Sequence, residues 1–149
     1  MEPQTPYILS VNISKGGIPK LPIDSVRVTF TGLEGDGHNH IKHYDLNQAV
    51  CLQDIEKLAE LSRENYILRP GSVGENLTVK NLQVNTLPLG TILQFPGGVV
   101  LKISRVRKPC YVMDAIDKQL KLDALGRHGM YAKVIREGMI KKGDSIQIV

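Results

Sequence analysis

Glycine and proline interrupt this chain at short intervals, and their spacing constrains the fold more than any other feature. The sequence holds 14 glycines and 8 prolines. Several stand together, as in Gly16-Gly17, Pro70-Gly71 and Pro96-Gly97-Gly98. Both residue types favour turns and interrupt regular elements. The spacing therefore predicts many short strands joined by turns.

Runs of apolar and alternating residues between these interruptions predict eight strands. In one of them, Val26, Val28 and Phe30 fall on the same face because side chains alternate along a strand. The predicted strands run over Tyr7 to Ser14, Ser25 to Thr31, Gln48 to Leu52, Leu77 to Val79, Ile92 to Phe95, Val99 to Val106, Tyr131 to Arg136 and Ser145 to Val149.

A helix is predicted from Asp54, which can cap it, to Glu64, because Ile55, Leu58 and Ala59 recur at helical spacing. A weaker helical pattern lies between Asp114 and Leu125. Many short strands must hide their edges. The predicted fold class is therefore mainly β, a closed or nearly closed β-barrel with one or two peripheral helices.

Length and composition favour one compact domain over residues 1–149. A chain of 149 residues fits a single domain, and 42% hydrophobic with 23% charged residues is ordinary globular composition. We expect no membrane span, because no apolar run approaches about 20 residues. No targeting segment is visible at the N-terminus, and two cysteines make no disulfide framework. These features predict a reducing, cytoplasmic location.

The positive charge is concentrated in the last third of the chain. Residues 1–100 hold eight Lys or Arg and ten Asp or Glu, whereas residues 101–149 hold eleven basic and five acidic residues. Such an excess can attract an anion, although a solvated face is an equally ordinary explanation. No nucleic-acid-binding motif accompanies it, and Trp is absent. We therefore expect a small-molecule ligand and no nucleic acid.

Cys110 is the residue most strongly marked for chemistry. Continued alternation along the strand from Val99 to Val106 would place Arg105 and Arg107 on the interior face at the strand's end. Pro109 then stops ladder pairing, so that Cys110 follows in a loop beside Arg105, Arg107 and Lys108. Neighbouring cations lower a thiol pKa and make the thiolate a better nucleophile and metal ligand. The alternative is a free, buried cysteine, which is the interpretation we favour for Cys51.

Three further segments carry polar residues in suggestive patterns. His38, His40 and His43 fall within six residues and are interpreted either as pocket-lining groups or as a zinc site. The turn from Pro70 to Gly74 leads to Glu75 and Asn76, which can orient a neighbour by hydrogen bonds. Arg127 and His128 lie in a loop before the strand at Tyr131.

Taken in order, these segments resemble the MOSC domain, named for the C-terminal domain of molybdenum-cofactor sulfurases. The order of several short motifs carries the resemblance, above all Gly-Glu-Asn-Leu-Thr followed later by Pro-Cys. The matching segments are Gly32 to His38, Gln48 to Leu52, Gly71 to Val79, Leu87 to Thr91, Lys108 to Cys110, Gly129 to Val134 and Ile140 to Asp144.

The resemblance implies a β-barrel-like fold with Cys110 at the position of the family's characteristic cysteine. In relatives that cysteine is proposed to carry sulfane sulfur or to ligate the molybdenum of the pterin cofactor, molybdopterin. The cofactor's phosphate would suit the basic residues, and Glu75, Asn76 and His38 would supply polar groups around it. The basic residues are Arg105, Arg107, Lys108 and Arg127.

Two departures from relatives limit what the resemblance implies. The sulfurases carry a separate pyridoxal-phosphate domain, which a chain of 149 residues lacks room for, so pyridoxal phosphate is not expected here. Some stand-alone relatives show His-Gly-Gly and then Asp-Lys/Arg-Ala-Val, where this chain has His43-Tyr-Asp-Leu-Asn-Gln-Ala-Val. By this resemblance the chain looks closer to the short stand-alone bacterial type.

Three functional hypotheses follow. In the first, Cys110 is a sulfur carrier supplied by a donor such as a cysteine desulfurase, or a molybdenum ligand. The chain would then be a sulfur transferase or a molybdenum-cofactor-dependent oxidoreductase. In the second, the domain binds a pterin cofactor or another phosphorylated ligand without chemistry. The third, a zinc hydrolase on His38, His40 and His43, has the weakest support.

Overall fold

The computed structural model describes residues 4–37, 45–64, 66–109, 113–114 and 116–149. Strands dominate, with two short helices, α1 (Ile55–Ser62) and α2 (Leu120–Asp123). The strands are β1 (Tyr7–Ile13), β2 (Leu21–Ile23), β3 (Ser25–Thr29), β4 (Gly32–Leu33), β5 (Val50–Asp54), β6 (Leu77–Lys80), β7 (Ile92–Gln94), β8 (Val100–Val106), β9 (Met130–Arg136), β10 (Gly138–Lys141) and β11 (Gln147–Ile148).

The strands form one large sheet and one small sheet. The large sheet has the order β11-β7-β8-β9-β5-β6-β1-β2, and the small sheet has the order β10-β3-β4. β5 pairs in parallel with β6 and antiparallel with β9. The mainly-β prediction is confirmed, as are the minor helices.

The large sheet does not close into a barrel, which corrects that part of the prediction. β11 is two residues long and pairs with β7, while β2 lies at the opposite end of the strand order. The chain just before β11 nevertheless reaches β1, where Tyr7 and Ser145 form an isolated bridge and the N–H of Ile8 donates to Asp144 O at 2.8 Å. The large sheet therefore curls so that the chain before β11 contacts β1, while its two end strands, β11 and β2, do not pair with each other.

The main core lies inside this rolled sheet. Side chains of β1, β5, β6, β8 and β9 meet there, and every residue of β5 is buried. β5 is buried on both faces, and strand alternation places Cys51 and Gln53 on the face opposite Val50 and Leu52. This second face of β5 is the floor of the site described below.

A separate apolar cluster lies beneath α1. Leu58 and Leu61 of the helix pack with residues of the segment 113–124. The hydroxyl of Tyr66 donates to Asp123 Oδ2 at 2.6 Å and ties the two parts together at their rim. The segment that follows residues 110–112 is thus anchored on α1.

Several predicted elements differ in their limits. β3 ends at Thr29, and Phe30 is 50% exposed rather than interior, because the chain turns there. The predicted helix at 114–125 is reduced to the four residues of α2. The sequence patterns also missed β2, β4 and β10, which are short.

Asp54 occupies the N-cap position of α1, but its side chain makes no capping hydrogen bond. Both carboxylate oxygens instead accept from the N–H of Val84, at 3.0 and 3.1 Å. Burial raises the pKa of Asp54 to about 6, despite this hydrogen bond. Asp54 therefore occupies the predicted N-cap position, but its carboxylate binds the N–H of Val84 instead of capping the helix.

None of the helices in the described parts of the chain is both long enough and apolar enough to cross a bilayer.

Candidate functional site

Arg107 directs a guanidinium group into the interior just after β8. Its backbone N–H donates to Gly129 O at 3.2 Å, which extends the β8–β9 pairing. Nη2 donates to Val73 O at 2.6 Å. Nη1 is buried and has no hydrogen-bond partner within the described part of the chain. No carboxylate of the described residues forms an ion pair with this guanidinium.

Gly74 provides the space for the guanidinium. A Cβ at this position would lie 3.2 Å from Arg107 Nη2 and 2.9 Å from Ile18 Cγ2, and the backbone φ of +87° is one that L side chains rarely adopt. The glycine pattern at 71–74 therefore shapes one wall of the site. It also leaves Val73 O pointing at Arg107.

Cys51 and Tyr131 stand opposite each other on β5 and β9, beside Arg107. Burial raises the pKa of the Cys51 thiol, against the opposing effect of the Arg107 charge. Burial alone would lower the pKa of Arg107, but Cys51, Tyr131 and Glu75 raise it overall. Cys51 is buried, as predicted, yet it lies against a cation and outside the main apolar cluster.

His128 completes the cluster from the loop before β9. It is 1% exposed, and neither ring nitrogen has a hydrogen-bond partner among the described residues. Burial lowers the pKa of His128 to about 3, and the charge of Arg107 acts in the same direction. The imidazole is therefore neutral at physiological pH, with one nitrogen able to donate and the other to accept.

Gly129 fixes the loop that carries His128. A Cβ there would lie 2.1 Å from Leu52 O, and φ is +88°. Asn85 clamps the same residue: its Oδ1 accepts from the N–H of Gly129 at 2.9 Å, and its Nδ2 donates to Gly129 O at 3.1 Å. These contacts fix the backbone directly after His128.

Glu75 lies on the β6 side of the cluster and is fully buried. Its Oε2 accepts from the Thr78 hydroxyl at 2.7 Å, whereas Oε1 has no partner in the described chain. Burial raises the pKa of Glu75, which favours its neutral form. Glu75 is thus buried near Arg107 without forming an ion pair with it.

Asn76 joins the strands that surround the site. Its Oδ1 accepts from the N–H of Cys51 at 3.0 Å, and its Nδ2 donates to Asp36 Oδ2 at 2.9 Å. Asp36 in turn holds Lys20 at 2.6 Å and accepts from the N–H of Ser14. Asn76 and the glycine-rich segment at 32–37 therefore form a structural clamp behind the site.

Arg105 does not follow the predicted alternation. The β8–β9 register shifts between Ile103 and Arg105, as at a β-bulge, which breaks the period of two. The Arg105 side chain is 45% exposed and pairs with Asp45 at 2.9 Å. Its charge is therefore on the outer surface and already compensated.

Arg127 is likewise committed to partners, although it neighbours His128 in sequence. Its Nη1 lies 2.7 Å from Glu64 and 3.1 Å from Glu60, and its Nη2 donates to Asp123 O. The hydrogen bond to Glu64 raises the pKa of Arg127. This arginine ties α1 to the loop after α2 and does not extend into the Arg107 cluster.

The remaining predicted residues divide into one that the structure describes and four that it does not. Lys108 is exposed, one residue beyond Arg107. Cys110, His38, His40 and His43 lie outside the described residues. Within the described part, no three His, Cys, Asp or Glu side chains converge as a metal site.

The arrangement that remains is an enclosed cluster of Arg107, His128, Glu75, Cys51 and Tyr131. It contains four buried polar atoms without partners in the described chain: Glu75 Oε1, Arg107 Nη1 and both ring nitrogens of His128. A buried polar atom left unpaired costs about 1–3 kcal/mol. Such a cluster can bind a polar ligand or ordered water.

Family comparison agrees with the order of motifs in the sequence. The model of the MOSC domain matches residues 39–147. The chain belongs to the MOSC domain family. This family is linked to the molybdenum cofactor, and the match includes all the polar residues of the Arg107 cluster.

Two curated relatives and one solved structure illustrate the range of MOSC proteins that resemble this chain. The uncharacterized protein YflK of Bacillus subtilis (strain 168) is 28% identical, over 89% of this chain and 63% of its own length. A protein named "Reductase" from Gibberella moniliformis (strain M3125 / FGSC 7600) is 27% identical, over 80% of this chain and 23% of its own length. The chain thus spans less than two thirds of either relative.

The crystal structure of the YUAD protein from Bacillus subtilis shares the fold. It superposes with a TM-score of 0.83 at 19% identity, covering 97% of this chain and 96% of that one. At this identity the likeness concerns the MOSC fold alone.

Sequence reasoning did not assign His128, Cys51 or Tyr131 to the site, and for His128 a signal was available. The available signal was its position between Arg127 and Gly129, in a loop flanked by glycines. Cys51 was missed for a different reason, because Gln-Ala-Val-Cys-Leu reads as apolar on both faces. Its contact with a cation is a tertiary property.

Proposed function

We propose that this MOSC domain acts in molybdenum-cofactor-related chemistry through Cys110, as a persulfide sulfur carrier or as a molybdenum ligand, beside an anion-binding site centred on Arg107. The carrying observation is Arg107, a partly buried residue whose Nη1 is buried and has no hydrogen-bond partner in the described chain. Cys110 follows Arg107 by three residues, a length of chain that reaches at most about 11 Å. A thiol near such a charge is favoured as a thiolate.

Only two of the four basic residues expected near the ligand support this proposal. Arg107 and Lys108 remain available, whereas Arg105 and Arg127 are compensated by carboxylates. Asn76 supports the proposal as a positioning residue because it accepts from the N–H of Cys51 on β5, and Glu75 is buried beside it with its Oε2 bonded to the Thr78 hydroxyl. His38 remains a proposed pocket residue from the sequence.

The residues present fit the negatively charged end of a pterin cofactor. The unpartnered Nη1 of Arg107 and one ring nitrogen of the neutral His128 are donors of the kind that phosphate oxygens accept from. When bound, the cofactor would supply a redox-active molybdenum, for which a thiolate is a soft ligand. The roles of this chain's residues would then be to hold the phosphate and to present the Cys110 thiolate.

The sulfur-carrier form of the proposal needs a donor protein such as a cysteine desulfurase. The Cys110 thiolate would attack the outer sulfur of the donor's persulfide, forming an S–S bond on Cys110 while the donor thiolate leaves. The relative named as a reductase favours the oxidoreductase form instead. The two forms differ in what Cys110 carries, sulfur or metal.

One experiment separates them. The protein is prepared anaerobically from its native host and assayed for sulfane sulfur by cyanolysis and for molybdenum by mass spectrometry. We expect one of the two in the wild type and neither in Cys110→Ser. Cys51→Ser removes the other thiol and tests whether the signal belongs to Cys110; the species should remain, because burial raises the pKa of the Cys51 thiol and disfavours its thiolate. Absence of both species in wild-type protein would overturn the proposal.

The second candidate function is a binding module without chemistry at Cys110. The unpartnered buried cation favours it as much as it favours the first, because anion binding needs no thiol. In this case ligand-induced stabilisation survives Cys110→Ala but is lost in Arg107→Gln. Thermal unfolding of both variants with and without added cofactor distinguishes the two functions.

A further inference from the structure

We propose that the outward face of β8 and β9 is a docking surface for an acidic protein, which would be the donor that the proposed function requires at Cys110. The inference rests on that proposed function, because it names the partner. We call this surface the β8–β9 face and define it by Lys102, Lys133, Ile135 and Arg136. All four residues are exposed, and none belongs to the buried polar cluster of the candidate site.

Two lysines of this face stand directly opposite each other. Lys102 and Lys133 are register partners in the antiparallel pair of β8 and β9. They project from the side of the sheet opposite the core, because their neighbours Ile103 and Val134 are buried in the main apolar cluster. The Cβ atoms of directly opposed residues lie about 4.5–5.5 Å apart, and like charges at this separation destabilise a sheet. An anionic partner would remove this repulsion when it docks.

The positive charge of the face has no counter-ion in the part of the chain that the structure describes. β7, β8 and β9 contain no Asp or Glu. Their basic residues are Lys102, Arg105, Lys133 and Arg136. Arg105 pairs with Asp45, whereas the other three form no ion pair with a described residue. Glu137 follows Arg136 in sequence, but its carboxylate accepts from the N–H of Phe30 at 3.0 Å. The face therefore offers its charge to a partner.

The apolar component of the face favours a protein over a nucleic acid. Ile135 is 45% exposed and lies between two cations, Lys133 and Arg136. Protein interfaces combine apolar contact with charge, whereas sequence-independent binding of nucleic acid depends on the phosphates. β8 and β9 are 7 residues long each. With β7 they therefore cover about 23 Å by about 10 Å. A patch on the order of a few hundred Å² suits a transient contact, which a donor that dissociates after each delivery requires.

The position of the face connects it to the proposed role of Cys110. Lys102 precedes Arg107 by five residues of extended chain, about 17 Å. The N–H of Arg107 continues the ladder by donating to Gly129 O at 3.2 Å. Cys110 follows three residues later in the sequence, at most about 11 Å of chain. A small domain is about 30 Å across, so a protein seated on the face can bring a reactive group to the segment after Arg107.

The test is fluorescence anisotropy with two labelled probes, a peptide of Glu-Glu-Leu repeats and a mixed-sequence duplex DNA. We expect saturable peptide binding that weakens with added salt, and about a fivefold or greater loss of affinity in Lys102→Glu/Lys133→Glu. Lys141→Glu/Lys142→Glu is the matched control, because both lysines are exposed and the net charge changes equally. Its loss should stay below about twofold. Ile135→Ser should weaken peptide binding about threefold and leave DNA binding unchanged.

Equal losses of peptide affinity in the two double variants would overturn the inference, because net charge alone would then explain the binding. Peptide binding that is absent, or that is no more sensitive to Ile135→Ser than DNA binding is, would overturn it as well. Circular dichroism checks that each variant is folded. Cys110→Ser is titrated in parallel and should bind the peptide like wild type, whether or not Cys110 carries sulfur or molybdenum, so the two proposals can fail separately.

Discussion

Arg107 and Arg127 come from the same basic third of the sequence, yet the fold treats them in opposite ways. Arg127 pairs with Glu60 and Glu64 and with a backbone carbonyl, at the protein surface. Arg107 points inward, where its Nη2 donates to Val73 O and its Nη1 has no hydrogen-bond partner among the described residues. One arginine is committed to carboxylates on α1, and the other directs a buried nitrogen without a hydrogen-bond partner among the described residues into the interior.

The difference teaches that the availability of a cation depends on its partners more than on local charge density. A surface ion pair changes stability by little, because water screens it. A buried guanidinium without a counter-ion is costly to the fold, so its retention needs a functional reason. Substitutions around Arg107 should therefore change the stability of the protein more than substitutions around Arg127.

The largest expected effect concerns His128 in the Arg107 region. Its folded pKa of about 3 lies below the ordinary value of 6.5, so the unfolded chain binds a proton that the native state rejects. Stability from this group is full above pH 6.5 and is lost as the pH falls toward 3, by about 5 kcal/mol in total. Urea unfolding of wild type and His128→Gln at pH 7 and pH 4 measures it. The variant should lose clearly less on acidification, and equal losses would mean that the imidazole is not held neutral.

The next effect compares a glycine from each region. Gly74→Ala adds a Cβ against Ile18 and Arg107 at a positive φ, and should destabilise the protein by about 2–3 kcal/mol. Gly126→Ala also has a positive φ, but nothing lies within 4 Å of its Cβ, so about 1 kcal/mol is expected. Chemical denaturation gives both values. Equal losses would show that the wall at Gly74 is not tightly packed on the guanidinium.

The smallest effect is that of the ion pairs of Arg127. Arg127→Gln should lower stability by less than about 1 kcal/mol, and the difference should shrink in high salt. Denaturation at low and high ionic strength measures it. A large, salt-independent loss would place Arg127 among the buried charges and remove the contrast with Arg107.

Much of the fold could be predicted because its signals are local. Turn residues and alternation located the long strands β1, β8 and β9, and apolar spacing located α1. β2, β4 and β10 were missed, whereas the equally short β6 and β7 were recognised from apolar runs beside turn residues. A closed or nearly closed barrel was predicted and the sheet is not closed; local patterns cannot show this, because closure depends on pairing between strands far apart in the chain.

The candidate site was less predictable, for reasons visible in single residues. Arg105 was placed on the wrong face because a register shift after Ile103 interrupts the alternation. Arg127 could not be recognised as paired, since Glu60 and Glu64 lie more than sixty residues away in sequence. His128 could not be recognised as part of a cluster from the sequence, because Cys51 and Arg107 come close to it only when β5, β9 and the end of β8 assemble.

The most direct test of the central claim is anomalous diffraction from crystals grown without sulfate or phosphate and then soaked in selenate. Selenate has the shape and charge of sulfate, and selenium can be located without ambiguity. The account predicts a peak within hydrogen-bond distance of Arg107 Nη1 and a ring nitrogen of His128. Selenate found only at surface lysines, with Arg107 bound to a carboxylate of its own chain, would contradict it.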